Sequence, residues 1–259
     1  MSHPADNCQF ALQLLPVGGP DAAALLQALV TADIEALEPG RARAAALCAP
    51  NGRAEAVFLL VREPDRLGLI VPQPISPVVA RKLQMFRIGR KVEVFDTVPV
   101  CPCAPDEAGA WPLAHDPQRA LRADPDGKAL PLPETWWAAD IAAGMPWLLP
   151  ETAGQFLPQM LGLEELEGLS YRKGCFPGQE VIARVHYRGR VTRRTVRFTL
   201  DGGEARPGDP VTIADGEGMV LYTAQNGKGG VTGLAVVPAE TTATDTLTIG
   251  EVHGRVLEN

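Results

Sequence analysis

Lys173-Gly174-Cys175-Phe176-Pro177-Gly178-Gln179-Glu180 is the stretch on which the reading of this chain turns. Its two glycines and one proline impose an irregular loop, because glycine tolerates backbone angles that other residues avoid and proline cannot continue a hydrogen-bonded ladder. The following Glu180-Val181-Ile182-Ala183-Arg184 suits a short helix, with Glu180 and Arg184 paired at i,i+4. Cys175 then lies just ahead of a helix N-terminus, with Lys173 two residues before it. Both features favour a thiolate. The stretch reads as a rigid frame for a functional cysteine.

The bulk properties narrow the setting. The chain has 259 residues, 46% hydrophobic and 21% charged, as in a soluble globular protein of one large or two to three small domains. Met1 to Asp6 carries no charged n-region followed by an apolar run, and no apolar stretch reaches the length of a membrane span. The expected location is the cytoplasm. Five cysteines, at 8, 48, 101, 103 and 175, are too few and too scattered for a disulfide framework. Cys101-Pro102-Cys103 lacks the spacing and the companion ligands of a zinc site, so no metal centre is expected. The net charge of −7 argues against wholesale nucleic-acid binding. The charge is nevertheless uneven: from Arg172 to Arg197 eight cations face Glu180 alone. That run suits an anionic ligand or partner, or else a solvated strand face.

Local patterns give an α+β order. Residues 9–17 read as a strand ending at Gly18-Gly19-Pro20, and Asp21 as the N-cap of a helix from Ala22 to about Val30. Residues 42–49 and 54–61 read as strands joined through Asn51-Gly52. Another strand is expected at 67–71, a helix capped by Ser76 running to about Ile88, and a strand at 92–95. Residues 98–133, rich in Pro, Ala and Asp, read as mostly irregular with a short helix near Gln118–Arg122. Short helical pieces are expected between Met145 and Leu161, one capped by Thr152. From Val191 onward six short strands separated by Gly, Asp and Asn turns suggest a small closed or sandwich-like β domain. The boundary is placed near Arg193, which puts the cysteine motif at a domain junction.

Lys173-Gly174-Cys175-Phe176 with Gly178-Gln179-Glu180, continued through Val181-Ile182-Ala183-Arg184 and Tyr187-Arg188-Gly189, resembles the signature of the YgfZ family of folate-binding proteins, relatives of the glycine cleavage T-protein, an aminomethyltransferase. Ala143-Gly144-Met145-Pro146, Gln155-Phe156-Leu157-Pro158-Gln159-Met160-Leu161, Gly19-Pro20-Asp21-Ala22, Leu26-Gln27 and Val30-Thr31-Ala32-Asp33 are also similar to that family. The resemblance implies a ring-like arrangement of α/β domains over residues 1–192, with a shortened middle subdomain at about 98–150, followed by a C-terminal β-barrel over 193–259. It also implies tetrahydrofolate, or a one-carbon derivative of it, in a central hole. Trp136, ten residues before Pro146, stands where the family carries a folate-contacting tryptophan, with Trp137 as its alternative. Phe10 is expected as a second aromatic contact. Lys173 and Arg184 are candidates for the anionic tail or for supporting the loop, and Gln179 and Glu180 for the pterin edge or for bracing.

Two departures separate the sister families. No Asn-containing segment followed by an acidic residue, as T-proteins carry, occurs between Asp96 and Trp111, and the T-protein counterpart of the motif generally lacks the cysteine. The resemblance therefore implies a non-catalytic or weakly catalytic folate-binding factor that supports iron–sulfur cluster assembly or repair, and thereby tRNA modification, with Cys175 as its working thiol. Its expected partners are iron–sulfur client proteins or assembly factors and tRNA-modifying enzymes; direct nucleic-acid binding and membrane association are not expected. The alternative is a folate-dependent one-carbon transfer enzyme of the aminomethyltransferase type.

Overall fold

The computed structural model describes residues 10–124, 126–127, 131–214, 216–225 and 230–257. Residues 1–9, with Cys8, lie outside them. The first half comprises β1 (Leu12–Gly18), α1 (Ala22–Gln27), β2 (Arg43–Cys48), β3 (Ala54–Arg62), β4 (Leu67–Pro72), α2 (Ser76–Phe86), β5 (Glu93–Val94), β6 (Val98–Cys103), β7 (Trp111–Leu113) and β8 (Asp116–Ala123). They build one sheet in the order β2-β3-β4-β1-β6-β8-β7, with β5 beside β1. Its two ends almost meet: the Ala42 N–H donates to the Pro112 carbonyl (2.9 Å) and the Ala114 N–H to the Ala42 carbonyl (2.8 Å).

Both faces of this sheet are covered, which explains its near-continuous apolar strands. On β3, Val57, Leu59 and Val61 point into one core, and Ala56, Phe58 and Leu60 into the other. The second core is roofed by α1 and α2 through Leu25, Leu26, Val79 and Leu83. Asp21 is the N-cap residue of α1, as expected, but its side chain makes no capping bond; its carboxylate accepts the Lys91 N–H (2.7 Å) and ties the helix start to the β5 region. Ser76 begins α2 from inside the helix, with its hydroxyl on the Gln73 carbonyl (3.0 Å).

The stretch from 98 to 133 differs from expectation. The short helix expected near Gln118–Arg122 is strand β8, paired with β6 and β7, and the segment adds three strands to the first sheet. Prolines 99, 102 and 112 sit within these strands, where they shorten the ladders without preventing them. Cross-strand pairing has overridden a composition that reads as loop. After α3 (Glu134–Ala142) the chain runs through turns to α4 (Gln179–Arg188). Among the described residues no named helix forms between 145 and 161; Thr152 closes a turn there, accepting the Leu149 N–H (3.0 Å).

β9 (Arg193–Leu200), β10 (Pro210–Ile213), β11 (Gly216–Gln225), β12 (Val231–Pro238), β13 (Thr246–Ile249) and β14 (Val252–Leu257) form a closed barrel in the order β10-β11-β12-β9-β14-β13. Its interior is filled by Val196, Phe198, Val211, Val220 and Ala235. Tyr222 and Leu234 instead point out of it into the core that contains Trp137, and the Tyr222 hydroxyl donates to the Met145 carbonyl (2.9 Å). α3 packs on β11 and β12, so barrel and sheet share a wall. The fold is α+β with a C-terminal barrel, as the sequence indicates. Among the described residues no helix is long and apolar enough to cross a membrane.

Candidate functional site

The loop around Cys175 is fixed from both sides. Lys173 is buried, and its ammonium donates to the carbonyls of Val30 (2.6 Å) and Ala32 (2.9 Å) while lying 5.4 Å from the Phe176 ring centre. Burial pulls the Lys173 pKa down to about 8, against a raising influence of Asp33. Of the two roles expected of Lys173, tail ligand or loop support, these bonds give it the second. Phe176 is buried in the first core. Gly178 takes φ +81° as the residue before α4, and a Cβ there would stand 2.5 Å from the Gly52 Cα and 2.6 Å from the Ala49 carbonyl oxygen. Glycine is needed at 178 twice over, for its left-handed backbone and for close passage over the β2–β3 turn. Between these anchors Gly174 and Cys175 stand exposed.

α4 is longer than the sequence suggests and lies mostly in solvent. Ile182 is its one buried residue, and Glu180, Arg184, Tyr187 and Arg188 share the outward stripe. Among the described residues Glu180 and Arg184 form no ion pair, contrary to expectation; both are exposed, where such a pair is worth about 0.3 kcal/mol. Gln179 is half-buried at the first helical position. Behind the helix, the Gln159 amide donates to the Ile182 carbonyl (2.8 Å), and Tyr171 stacks on His186 with centroids 3.9 Å apart.

A cavity of about 300 Å³ opens on the other side of Gln159. Its wall is made by the end of α3 at Ala142–Gly144, by the turn from Gln159 to Leu166, and by Arg194 and Arg197 of β9. Two polar atoms buried behind this wall, Gln159 Oε1 and Arg197 Nε, have no hydrogen-bond partner among the described residues. Arg194 and Arg197 also donate to the carbonyls of Thr241 and Ala142. None of Phe10, Trp136, Lys173, Cys175, Gln179, Glu180 and Arg184 lines this cavity. Sequence reasoning missed Gln159 and Arg197 as site residues, although both lie in stretches it singled out: the 155–161 segment and the basic run. A second cavity, of about 340 Å³, lies beside the barrel and presents Glu240 and Asp245, a poor setting for an anion.

The expected aromatic contacts sit deeper. Phe10 is buried against Trp137 (centroids 4.2 Å) and Tyr222 (6.0 Å), as part of the core. Trp136 is buried under the Arg119 guanidinium, 4.6 Å from its ring centre. Arg119 also pairs with Asp116 (2.7 Å) and with buried Asp140 (2.8 Å), and Asp140 accepts the Trp147 indole N–H (2.7 Å). The indole nitrogens of Trp136 and Trp137 and both ring nitrogens of His115 are buried with no hydrogen-bond partner among the described residues, although His115 Nε2 lies 3.9 Å from the Asp140 carboxylate. No sequence spacing announced this cluster, because 115, 119 and 140 meet only through the pairing of β8 and the packing of α3. Among the described residues no group of three or more His, Cys, Asp or Glu could hold a metal ion.

Comparison with known proteins places this geometry. No family model matches the chain. An uncharacterized protein of Haemophilus influenzae is 32% identical over 201 residues, covering 73% of this chain and 71% of that one. The tRNA-modifying proteins YgfZ of Klebsiella pneumoniae and Vibrio vulnificus are 28% and 27% identical, over 86% and 88% of this chain and 78% and 82% of theirs. In structure, the glycine cleavage system aminomethyltransferase T of Bartonella henselae matches with a TM-score of 0.70 at 14% identity, covering 95% of this chain and 83% of that one. With the cysteine motif, the closed barrel and these relatives in hand, the chain belongs to the YgfZ family and has the fold of aminomethyltransferase T.

Proposed function

We propose that this protein binds tetrahydrofolate, or a one-carbon derivative of it, and supports iron–sulfur cluster assembly or repair in the cytoplasm, and thereby tRNA modification, with Cys175 as the working thiol. The observation that carries the reading is the cavity beside β9, lined by Gln159, Arg194 and Arg197, with an acceptor on Gln159 and a donor on Arg197 just behind its wall that lack partners among the described residues. Leaving such groups unmatched costs about 1–3 kcal/mol each, so a wall that keeps them is built for a polar ligand. A pterin offers both donors and acceptors at its edge, and the glutamate tail suits an arginine fork. About 300 Å³ has room for the ring system, leaving the tail toward solvent. Trp136, with its unpartnered indole nitrogen, supports the ligand from α3 or holds Arg119 in place.

Cys175 adds one exposed thiol on a fixed loop. A thiolate suits iron, but one supplies a single ligand of the set that a cluster takes, so a client protein must bring the others. Folate bound at the cavity would hold the Gln159 turn, whose other side grips α4. The aminomethyltransferase alternative rests on the shared fold alone.

Two measurements test the reading. Tetrahydrofolate titrated into the protein should change tryptophan fluorescence saturably, and less so in Trp136→Phe. Cells carrying Cys175→Ala should lose the tRNA modification while the variant protein folds and binds folate normally. A flat titration, or full modification with the alanine variant, would refute the corresponding half of the proposal. Turnover of a lipoyl-carried aminomethyl group would favour the alternative.

A further inference from the structure

Of the eight cations between Arg172 and Arg197, five are committed within the fold. Lys173 holds the carbonyls of Val30 and Ala32, Arg190 pairs with Glu240, and Arg193, Arg194 and Arg197 donate to the carbonyls of Glu217, Thr241 and Ala142. The three left without a side-chain partner among the described residues are Arg172, Arg184 and Arg188, all exposed. Arg184 and Arg188 stand one turn apart on α4, flanking Tyr187, which is 68% exposed. The helix begins four residues after Cys175. A face of three arginines and a tyrosine, with Glu180 as its one carboxylate, thus follows closely on an exposed thiol in a protein whose net charge is −7.

We propose that the outward face of α4, with Arg172, is the docking surface that brings an acidic protein segment to Cys175. The inference rests on the reading of Cys175 as the working thiol and adds the chemistry of the partner that meets it. Arginine and tyrosine are the residue types that carry most binding energy at protein interfaces. Opposite charge across such a surface speeds encounter and selects the partner. A nucleic acid fits less well. Two free cations on a ten-residue helix and one in the loop before it neutralise few phosphates, and the acidic remainder of the protein repels a long polyanion.

The test uses Cys175 as its own reporter, in the full chain with Cys8, Cys101 and Cys103 changed to Ser. The thiolate attacks one sulfur of a disulfide reagent, forms the mixed disulfide and releases the other sulfur as a thiolate, with no further oxidant needed. Rates are measured with dianionic dithiobis(nitrobenzoate) and with dicationic cystamine, each divided by its rate on a neutral cysteine peptide. The dianion should be favoured by about tenfold or more at low salt, and salt should erase the preference. Arg172→Glu/Arg184→Glu/Arg188→Glu should reverse it. A Glu-rich peptide should bind this protein more tightly than a single-stranded RNA of equal charge in fluorescence anisotropy, and the triple variant should lose that binding. A charge-independent rate, or an unaltered preference in the triple variant, would overturn the docking surface, and tighter binding of the RNA would replace the acidic protein by a nucleic acid. If Cys175→Ala spared tRNA modification in cells, the thiol's role would fail instead, leaving these rates as they are.

Discussion

Cys175 stands in solvent on a loop pinned at Lys173, Phe176 and Gly178, whereas the cavity beside β9 is recessed and keeps polar atoms of Gln159 and Arg197 buried without hydrogen-bond partners among the described residues. The first region is pinned by its buried anchors and offers one reactive group outward. The second is incomplete and offers its unmet groups inward. A group that must meet a macromolecule has to be exposed on a rigid mount; a group that must meet a small ligand can remain unpaired only where the ligand completes it. The two regions touch through Gln159, whose amide holds the Ile182 carbonyl of α4 and which also lines the cavity. The sequence reading set the folate contacts on Trp136, Phe10 and the motif residues Lys173, Gln179, Glu180 and Arg184, none of which lines this cavity.

The predictions probe that separation. The largest effect is expected at the mount. Gly178→Ala forces a side chain into a left-handed backbone position and against the Gly52 backbone, and should cost about 2–4 kcal/mol in denaturant unfolding. A variant as stable as the wild type would mean that the loop is not pinned over the β2–β3 turn. Arg197→Met should weaken tetrahydrofolate binding by about tenfold or more, the worth of one charge-assisted hydrogen bond, with Cys175 alkylation unchanged. A fall in alkylation instead would join what is here kept apart.

Lys173 gives a pH-dependent check. Its folded pKa of about 8 lies below the ordinary lysine value of 10.5. Between those values the unfolded chain holds a proton that the folded protein has released, so stability gained from this residue rises with pH across that window and is flat below it. The difference in unfolding free energy between wild type and Lys173→Met should grow in favour of wild type from about pH 8 upward, with a slope no steeper than about 1.4 kcal/mol per pH unit. A difference independent of pH would show that the ammonium is not held in a desolvated site. The smallest effect is expected at the thiol itself: Cys175→Ala should shift stability by less than about 0.5 kcal/mol, because the side chain is exposed. Cys48 is the contrasting thiol, with burial pushing its pKa up to about 12, and it should resist alkylation until the protein unfolds.

Much of the fold was legible because local and tertiary signals agreed. The barrel strands from Arg193 onward are short, apolar in alternation and separated by turn residues, and β2 and β3 flank Asn51-Gly52. Residues 98–133 were misread because their proline and aspartate content favours loop, while strand pairing with β1 decided the outcome. In the candidate site, the motif fixed the loop, and Gly178 was readable as a backbone requirement. The fate of Lys173 was not, since Val30 and Ala32 lie some 140 positions away in the chain. The cavity was hidden for the same reason: its wall joins α3, the Gln159 turn and β9, which no local pattern brings together.

The most direct test is calorimetric titration of tetrahydrofolate into three proteins: wild type, Cys175→Ala and Arg197→Met. Saturable binding that is equal in the first two and weakened about tenfold or more in the third is the predicted result. Binding that disappears with Cys175→Ala but survives Arg197→Met, or no binding to the wild type, would contradict the account.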